Sequence, residues 1–262
     1  RREYGMTFPP PSGRMQMISA GYVVPATRKT VLANISLELA AGDSLGVVGP
    51  SASGKSTLLR LMVGAWPCAA GSVRLDGADI YAWPRAELSR YIGYLPQDVE
   101  LFSGTVRENI ARMTAGDDEA VVRAAQRAGA HEMILGLPKG YDTEIGDYGH
   151  SLSGGQSQRI GIARALYGDP RFILLDEPNS NLDSGGEDAL VSTMASLKKE
   201  GVTVVIVAHR PSILQNVDKM LVLRPGGTIE TFGARADVMQ HFANRAAART
   251  AANVVPLTQG PA

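Results

Sequence analysis

The sequence holds one cysteine, no imbalance of charge and no long uncharged apolar run, and each shortage removes a class of protein. A single cysteine among 262 residues, Cys68, closes no internal disulfide and builds no cysteine metal cluster. It fits a reducing compartment and reads as a small buried apolar side chain. Lys and Arg number 26 against 26 Asp and Glu, so no basic surface advertises nucleic acid or a polybasic membrane contact. No run of 18 residues is free of charge; the longest charge-free runs, such as those between Arg14 and Arg28 and after Arg249, are polar or broken by Gly and Pro. Composition by itself therefore reads as a soluble, cytoplasmic protein. With 44% apolar and 20% charged residues and no low-complexity tract, disorder and fibrous folds are excluded as well.

The chain opens Arg1-Arg2 with neither an initiator methionine nor an apolar signal core, which reads as a piece of something longer. Pro9-Pro10-Pro11-Ser12-Gly13 favours a stiff, extended linker, so residues 1–13 are taken as a linker and residues 14–250 as one domain. Around 15–19 and 31–39 the pattern is β-like, with Ile35, Leu37 and Leu39 alternating with Ser36 and Glu38, as in a half-exposed antiparallel sheet. Ser44 to Val48 is a short apolar strand running into a glycine-bearing loop, and Phe172 to Leu175 and Val202 to Val207 are continuous apolar runs suited to parallel strands buried on both faces. Ser184 to Lys199 has helical length between the last two. An α/β core follows, interrupted by a helical insertion at about 98–168, with helices expected at 105–111, 117–128 and 156–167. A final helix over 235–250 precedes a tail, 251–262, expected to be poorly ordered.

Gly49-Pro50-Ser51-Ala52-Ser53-Gly54-Lys55-Ser56 matches G-x-x-x-x-G-K-[ST] at the required junction of strand and helix. Glycines let backbone N–H groups converge on phosphate oxygens, and the helix N-terminus adds the positive end of its dipole. Lys55 is placed to reach the β- and γ-phosphates and Ser56 to offer its hydroxyl to Mg²⁺, with Thr57 continuing the binding segment. Phe172 to Leu175 delivers Asp176 and Glu177 to the C-terminal end of a buried strand, where ligands of open α/β sheets gather. Neighbours on a strand point opposite ways, so Asp176 is assigned to Mg²⁺ and Glu177 to the attacking water. His209 emerges from the strand ending at Ala208 and is placed near the γ-phosphate. An isolated strand-end histidine is more often structural, which is the reading for His131, His150 and His241.

Leu152-Ser153-Gly154-Gly155-Gln156, at the start of a helical segment, together with the phosphate loop and the acidic pair resembles the signature of ATP-binding-cassette ATPases. The resemblance spans 15–241 and implies a RecA-like P-loop core with an antiparallel β subdomain and an inserted α-helical subdomain. It implies ATP and Mg²⁺ as cofactors. It makes Gln97 a metal-linked glutamine and His209 a switch, and sets Asp183 of Ser180-Asn181-Leu182-Asp183 at a dimer contact. Two cassettes are expected to pair head to tail, with Ser153 to Gln156 of one closing over ATP held by the other. The segments Leu101 to Ile110 and Thr143 to Gly146 are similar to exporter cassettes, which implies a preceding transmembrane domain; Gly93 to Phe102 and Glu177 to Ser184 are similar to bacterial type I secretion exporters, which implies a periplasmic adaptor, an outer-membrane channel and unfolded protein cargo at the inner membrane's cytoplasmic face. The alternatives are a lipid, drug or small-molecule exporter or importer cassette, a DNA-repair-type cassette, which lacks here the long coiled coil it requires, and a non-catalytic cassette, which conflicts with Lys55, Glu177 and His209.

Three positions depart from the family pattern. Val24 stands where many exporters stack a tyrosine on adenine, with Tyr22 two residues away on the same strand face. Ala52 replaces a frequent glycine, a change that is tolerable if the residue keeps φ below zero. Ser157 replaces a frequent arginine that would partner nearby acids.

Overall fold

The computed structural model of the chain describes residues 9–146 and 151–252. His150, most of the expected linker and most of the expected tail therefore lie outside the described residues.

The chain begins with an antiparallel pair, β1 (Met15–Val23) and β2 (Thr30–Leu39), in which Ile35, Leu37 and Leu39 are buried while Ser36 and Glu38 face out. β3 (Ser44–Val48) runs through the phosphate loop into α1 (Lys55–Met62). β4 (Ala70–Leu75) and β5 (Ala78–Asp79) return to the first layer and complete a four-stranded sheet in the order β2-β1-β4-β5. Next come α2 (Arg85–Tyr91), β6 (Ile92–Leu95) and the insertion: β7 (Gly104–Thr105), α3 (Val106–Ile110), α4 (Asp118–Arg127), α5 (His131–Leu135), β8 (Glu144–Ile145) and α6 (Gly154–Leu166). The chain then alternates β9 (Phe172–Asp176), α7 (Ser184–Lys199), β10 (Thr203–Val207), α8 (Pro211–Leu214) and β11 (Lys219–Leu223). It closes with β12 (Ile229–Ala234) and α9 (Arg235–Ala252), so the last helix extends two residues into the stretch expected as tail.

The second sheet has the order β12-β11-β3-β10-β9-β6, with every pair parallel except β11 with β12. Every residue of β9 and β10 is buried, which explains their unbroken apolar runs. Period two sorts their side chains. Ile173, Leu175, Val204 and Ile206 join the core shared with α4, α6 and α7, while Phe172, Leu174, Val205 and Val207 join the core under α1 and the four-stranded sheet. The parallel sheet is thus the middle layer, and its strand ends carry the site.

The insertion is bound tightly to that layer. A Cβ at Gly93 on β6 would lie 2.0 Å from the Ala165 carbonyl oxygen, so only glycine lets α6 lie this close to the strand. Arg112 donates to the carbonyl oxygens of Arg164 (3.0 Å), Ala165 (3.2 Å), Tyr167 (2.8 Å), Ile92 (3.3 Å) and Ser89. Burial lowers its pKa to about 10, yet it stays charged at neutral pH, and a cation among the last carbonyls of α6 complements the negative end of the helix dipole. The segment Ser12 to Arg14 is docked too: Ser12 Oγ donates to Asp76 (2.7 Å), the Arg14 N–H to the same carboxylate (2.9 Å), and Thr203 Oγ1 to the Gly13 carbonyl (2.8 Å). Among the described residues no helix is long and apolar enough to cross a membrane.

Candidate nucleotide and water site

The phosphate loop folds as its composition demands, with one surprise. Gly49 is forced by crowding, since a Cβ there would lie 2.7 Å from Ser53 Oγ and 2.8 Å from the Leu223 carbonyl oxygen. Gly54 caps α1 at φ 95° and provides no side-chain cap, which leaves the first N–H groups of the helix available. Ala52, however, sits at φ 61°, so the condition of a negative φ under which it replaces glycine without strain is not met. The loop closes by the Ser53 N–H to Pro50 carbonyl bond (3.2 Å), and this turn sets the backbone before the side chain can choose. Lys55 is buried, its Nζ donating to the carbonyls of Gly49 and Pro50 at 3.0 Å each.

Ser51, Ala52, Gly54, Lys55, Ser56 and Thr57 line a cavity of about 420 Å³ together with Gln97 and Glu177. Lys29, Thr30, Val31 and Gly226 complete the lining, and none of these four is marked by the sequence motifs. Tyr22 and Val24, the candidates for base contact, are not brought to it. The Tyr22 ring stacks on Trp66, 4.8 Å between centroids and 16° between planes, with the Arg60 guanidinium 4.7 Å from the Trp66 centroid. Val24 instead closes a turn, its N–H donating to the Lys29 carbonyl at 2.9 Å, and that turn presents Lys29 to the cavity.

Asp176 ends β9 at 1% exposure. Burial pushes its carboxyl above the ordinary range; the neighbouring Ser56 hydroxyl pulls the other way, and the Glu177 charge raises it further. Neither carboxylate oxygen has a hydrogen bond of ordinary geometry, so the Ser56 approach is loose. A buried carboxylate without a partner beside a serine hydroxyl is a hard-oxygen donor set, and such a set fits Mg²⁺. Glu177 lies beyond the strand, at φ 50°, its N–H bonded to the Val207 carbonyl at 3.0 Å. The two acids are thus set apart by a left-handed turn, where strand alternation had been expected to separate them. The Glu177 carboxylate meets His209 Nε2 at 3.3 Å and Gln97 Nε2 at 3.5 Å. Three residues far apart in sequence therefore converge at one edge of the cavity.

The signature turn stands elsewhere. Ser153 and Gln156 cap each other at the start of α6: the Ser153 N–H donates to Gln156 Oε1 (2.9 Å) and the Gln156 N–H to Ser153 Oγ (3.2 Å). With Gly155, Arg159, Asn181, Asp183 and Met133 they line a separate hollow that shares no residue with the phosphate cavity. Gly154 packs beside them against Asn181. Asp183 Oδ1 accepts from the Gly186 N–H (2.8 Å) and from Arg159 (2.6 Å); the backbone bond first and then Arg159 hold its carboxyl below the usual range. Arg159, two positions after Ser157, thus pairs with the acid; its spacing from the signature was the available clue.

The remaining candidates have local partners. His131 Nδ1 lies 2.8 Å from the Tyr141 hydroxyl, and His241 packs edge-on to Phe242. Cys68 is half-buried rather than buried, and burial pushes its thiol pKa up, away from reactivity.

The ABC transporter family model matches residues 32–180. The chain is 47% identical over 235 residues to the type I secretion system ATP-binding protein PrsD of Rhizobium meliloti, covering 89% of this chain and 40% of that protein. It is 41% identical over 220 residues to human ATP-binding cassette sub-family B member 6, covering 83% of this chain and 26% of that protein. Among solved structures, a bacterial Atm1-family ABC exporter with ATP bound superposes with a TM-score of 0.80 at 33% identity, over 91% of this chain and 42% of that one. The chain spans less than half the length of each of these relatives. Matched over more than half its length by the family model, and carrying the phosphate cavity, the strand-end acids and the signature turn, the chain belongs to the ABC transporter family as an ATP-hydrolysing nucleotide-binding domain of the P-loop α/β type.

Proposed function

We propose that this domain is one half of a head-to-tail ATPase pair that powers type I secretion of unfolded proteins across a bacterial inner membrane, working from the cytoplasmic face. Residues 14–250 would form the cassette, joined through 1–13 to a transmembrane domain, with a periplasmic adaptor and an outer-membrane channel completing the path. No nucleic acid takes part. The observation that carries the chemistry is the single cavity lined by Lys55, Ser56, Gln97 and Glu177. The likeness to PrsD supports the export assignment.

In this reading the open N–H groups of the phosphate loop and Lys55 hold the β- and γ-phosphates of ATP. Ser56, Asp176 and Gln97 are the residues that would hold Mg²⁺, which when bound neutralises charge on the phosphate oxygens. Glu177 accepts a hydrogen bond from the attacking water and aims it in line at the γ-phosphorus; His209 and Gln97, within 3.3 and 3.5 Å of its carboxylate, hold it there. The signature turn faces a hollow of its own, so its Ser153 hydroxyl and backbone reach a nucleotide only on a partner cassette. That arrangement supports the pair.

Glu177→Gln should retain ATP binding and accumulate ATP-dependent pairs while hydrolysis falls by about 10²-fold or more, in the range for losing a positioned base; turnover at the wild-type rate would overturn the mechanism. In cells the same change should stop release of a secreted polypeptide into the medium. Continued release, with ATPase activity stimulated by a lipid or small molecule, would instead favour a second reading, export of such a compound; the 41% identity to human sub-family B member 6, a relative not named for secretion, keeps that reading open.

A further inference from the structure

We propose that Gln158, in the second turn of α6, is a positioning residue for hydrolysis that holds the backbone carrying Glu177. Its side chain is 1% exposed, and Nε2 donates to the Pro178 carbonyl oxygen at 2.9 Å. A buried amide seldom lacks a partner, so this bond is obligatory for the fold as it stands. What matters is where it lands. Pro178 follows Glu177, whose left-handed backbone at φ 50° is disfavoured for a side-chain-bearing residue and persists only if its surroundings impose it. Before Glu177 the constraint is its own N–H bond to the Val207 carbonyl at 3.0 Å; after it, the Ser180 N–H reaches back to the Glu177 carbonyl at 3.2 Å, and Gln158 grips the next carbonyl from outside the turn. Without the Gln158 bond, the peptide after Pro178 is free to rotate, and the carboxylate swings relative to His209 and Gln97.

The same helix turn is fixed to the acid loop at two further points. A Cβ at Gly155 would lie 2.8 Å from the Asn181 carbonyl oxygen, and Arg159 bonds Asp183 at 2.6 Å. The helix that starts at the signature turn and the loop that starts at Glu177 therefore move as one body. A displacement of Ser153 to Gln156, when that turn meets a ligand, is passed to the Glu177 carboxylate through Gln158.

The inference rests on the reading that Glu177 orients water, and its test separates the two. In purified protein Gln158→Met, close in volume but without a donor, should lower kcat for ATP by about 10- to 100-fold, the scale of an ångström-level misplacement, while ATP affinity stays within about twofold. Because the residue acts through Glu177, adding Gln158→Met to Glu177→Gln should change the residual single-turnover rate by less than about twofold. Hydrogen exchange should quicken at 177–182 and stay unchanged at 49–57. Full additivity of the two changes, equal loss of ATP affinity, or wild-type kcat in a folded Gln158→Met protein would overturn the proposal while leaving an inactive Glu177→Gln to support the role of Glu177. Wild-type turnover in Glu177→Gln would sink that role itself. Should Gln158→Met fail to fold, Gln158→Asn, which keeps the amide but falls one methylene short of Pro178, is expected to give the same loss of kcat, and full activity in it would refute the bond's importance.

Discussion

The N-termini of α1 and α6 both carry glycine and hydroxyl side chains, and they are finished in opposite ways. α1 starts from a left-handed Gly54 with no side-chain cap, beneath a loop whose lysine bonds to the loop's own carbonyls. α6 starts from a reciprocal cap in which Ser153 and Gln156 already satisfy one another. The uncapped end has open donors inside a cavity, the arrangement that suits an anion. The self-capped end is satisfied alone; under the proposed function it would take a ligand by exchanging part of its cap for a phosphate on a partner. In that reading one end would bind and the other would report that binding is complete.

That contrast can be broken by experiment, most forcefully on the side of the cavity. Asp176→Asn removes a buried carboxylate that has no hydrogen-bond partner, and hydrolysis should fall by about 10²-fold or more, measured as phosphate release. The same change should raise Tm at neutral pH. The native carboxyl has a raised pKa, so its ionised form costs stability at every pH above that value and the cost disappears as pH falls through the raised value toward the ordinary carboxylate range. The Tm gain of Asp176→Asn should shrink over that acidic window; a gain independent of pH would show that burial of charge is not its cause.

A smaller effect is expected at the signature turn. Ser153→Ala removes the cap of α6, for about 1 kcal/mol of stability, and should lower kcat about tenfold with nucleotide affinity unchanged. Weakened binding of ATP by the unpaired domain would mean that the two helix ends are not separate sites. The smallest effect is expected at Ala52, whose left-handed backbone at φ 61° penalises a Cβ. Ala52→Gly should stabilise the fold by up to about 1 kcal/mol in denaturant unfolding, since relief of strain exceeds the added freedom of the unfolded chain only slightly. Destabilisation would show that the alanine makes a contact worth more than its strain.

The phosphate loop, the acidic strand end and the signature turn were legible because each is a local pattern completed within eight residues on a strand or helix whose own periodicity is strong. α7 was located to the residue, since its flanking strands are continuous apolar runs. β6, β11 and β12 went unread: β6 has four residues, one of them Gly93, and β12 is only partly buried, so neither offers a period to detect. The two-residue ribbon of β7 and β8 is shorter than any pattern. Tyr22 was a candidate for base contact only through the family resemblance and the strand face it shares with Val24, and its ring stacks on Trp66.

By itself the sequence determined which chemical groups this protein carries and the local shapes that present them, because turn, cap and strand preferences act over a few residues. Tertiary structure alone decided which groups meet. Gln97 and His209 reach Glu177 from 80 and 32 residues away, and Gln158 reaches Pro178 from 20. Those encounters depend on the order of strands in the parallel sheet and on how closely α6 lies against β6, quantities set by packing across the whole core and written in no single segment.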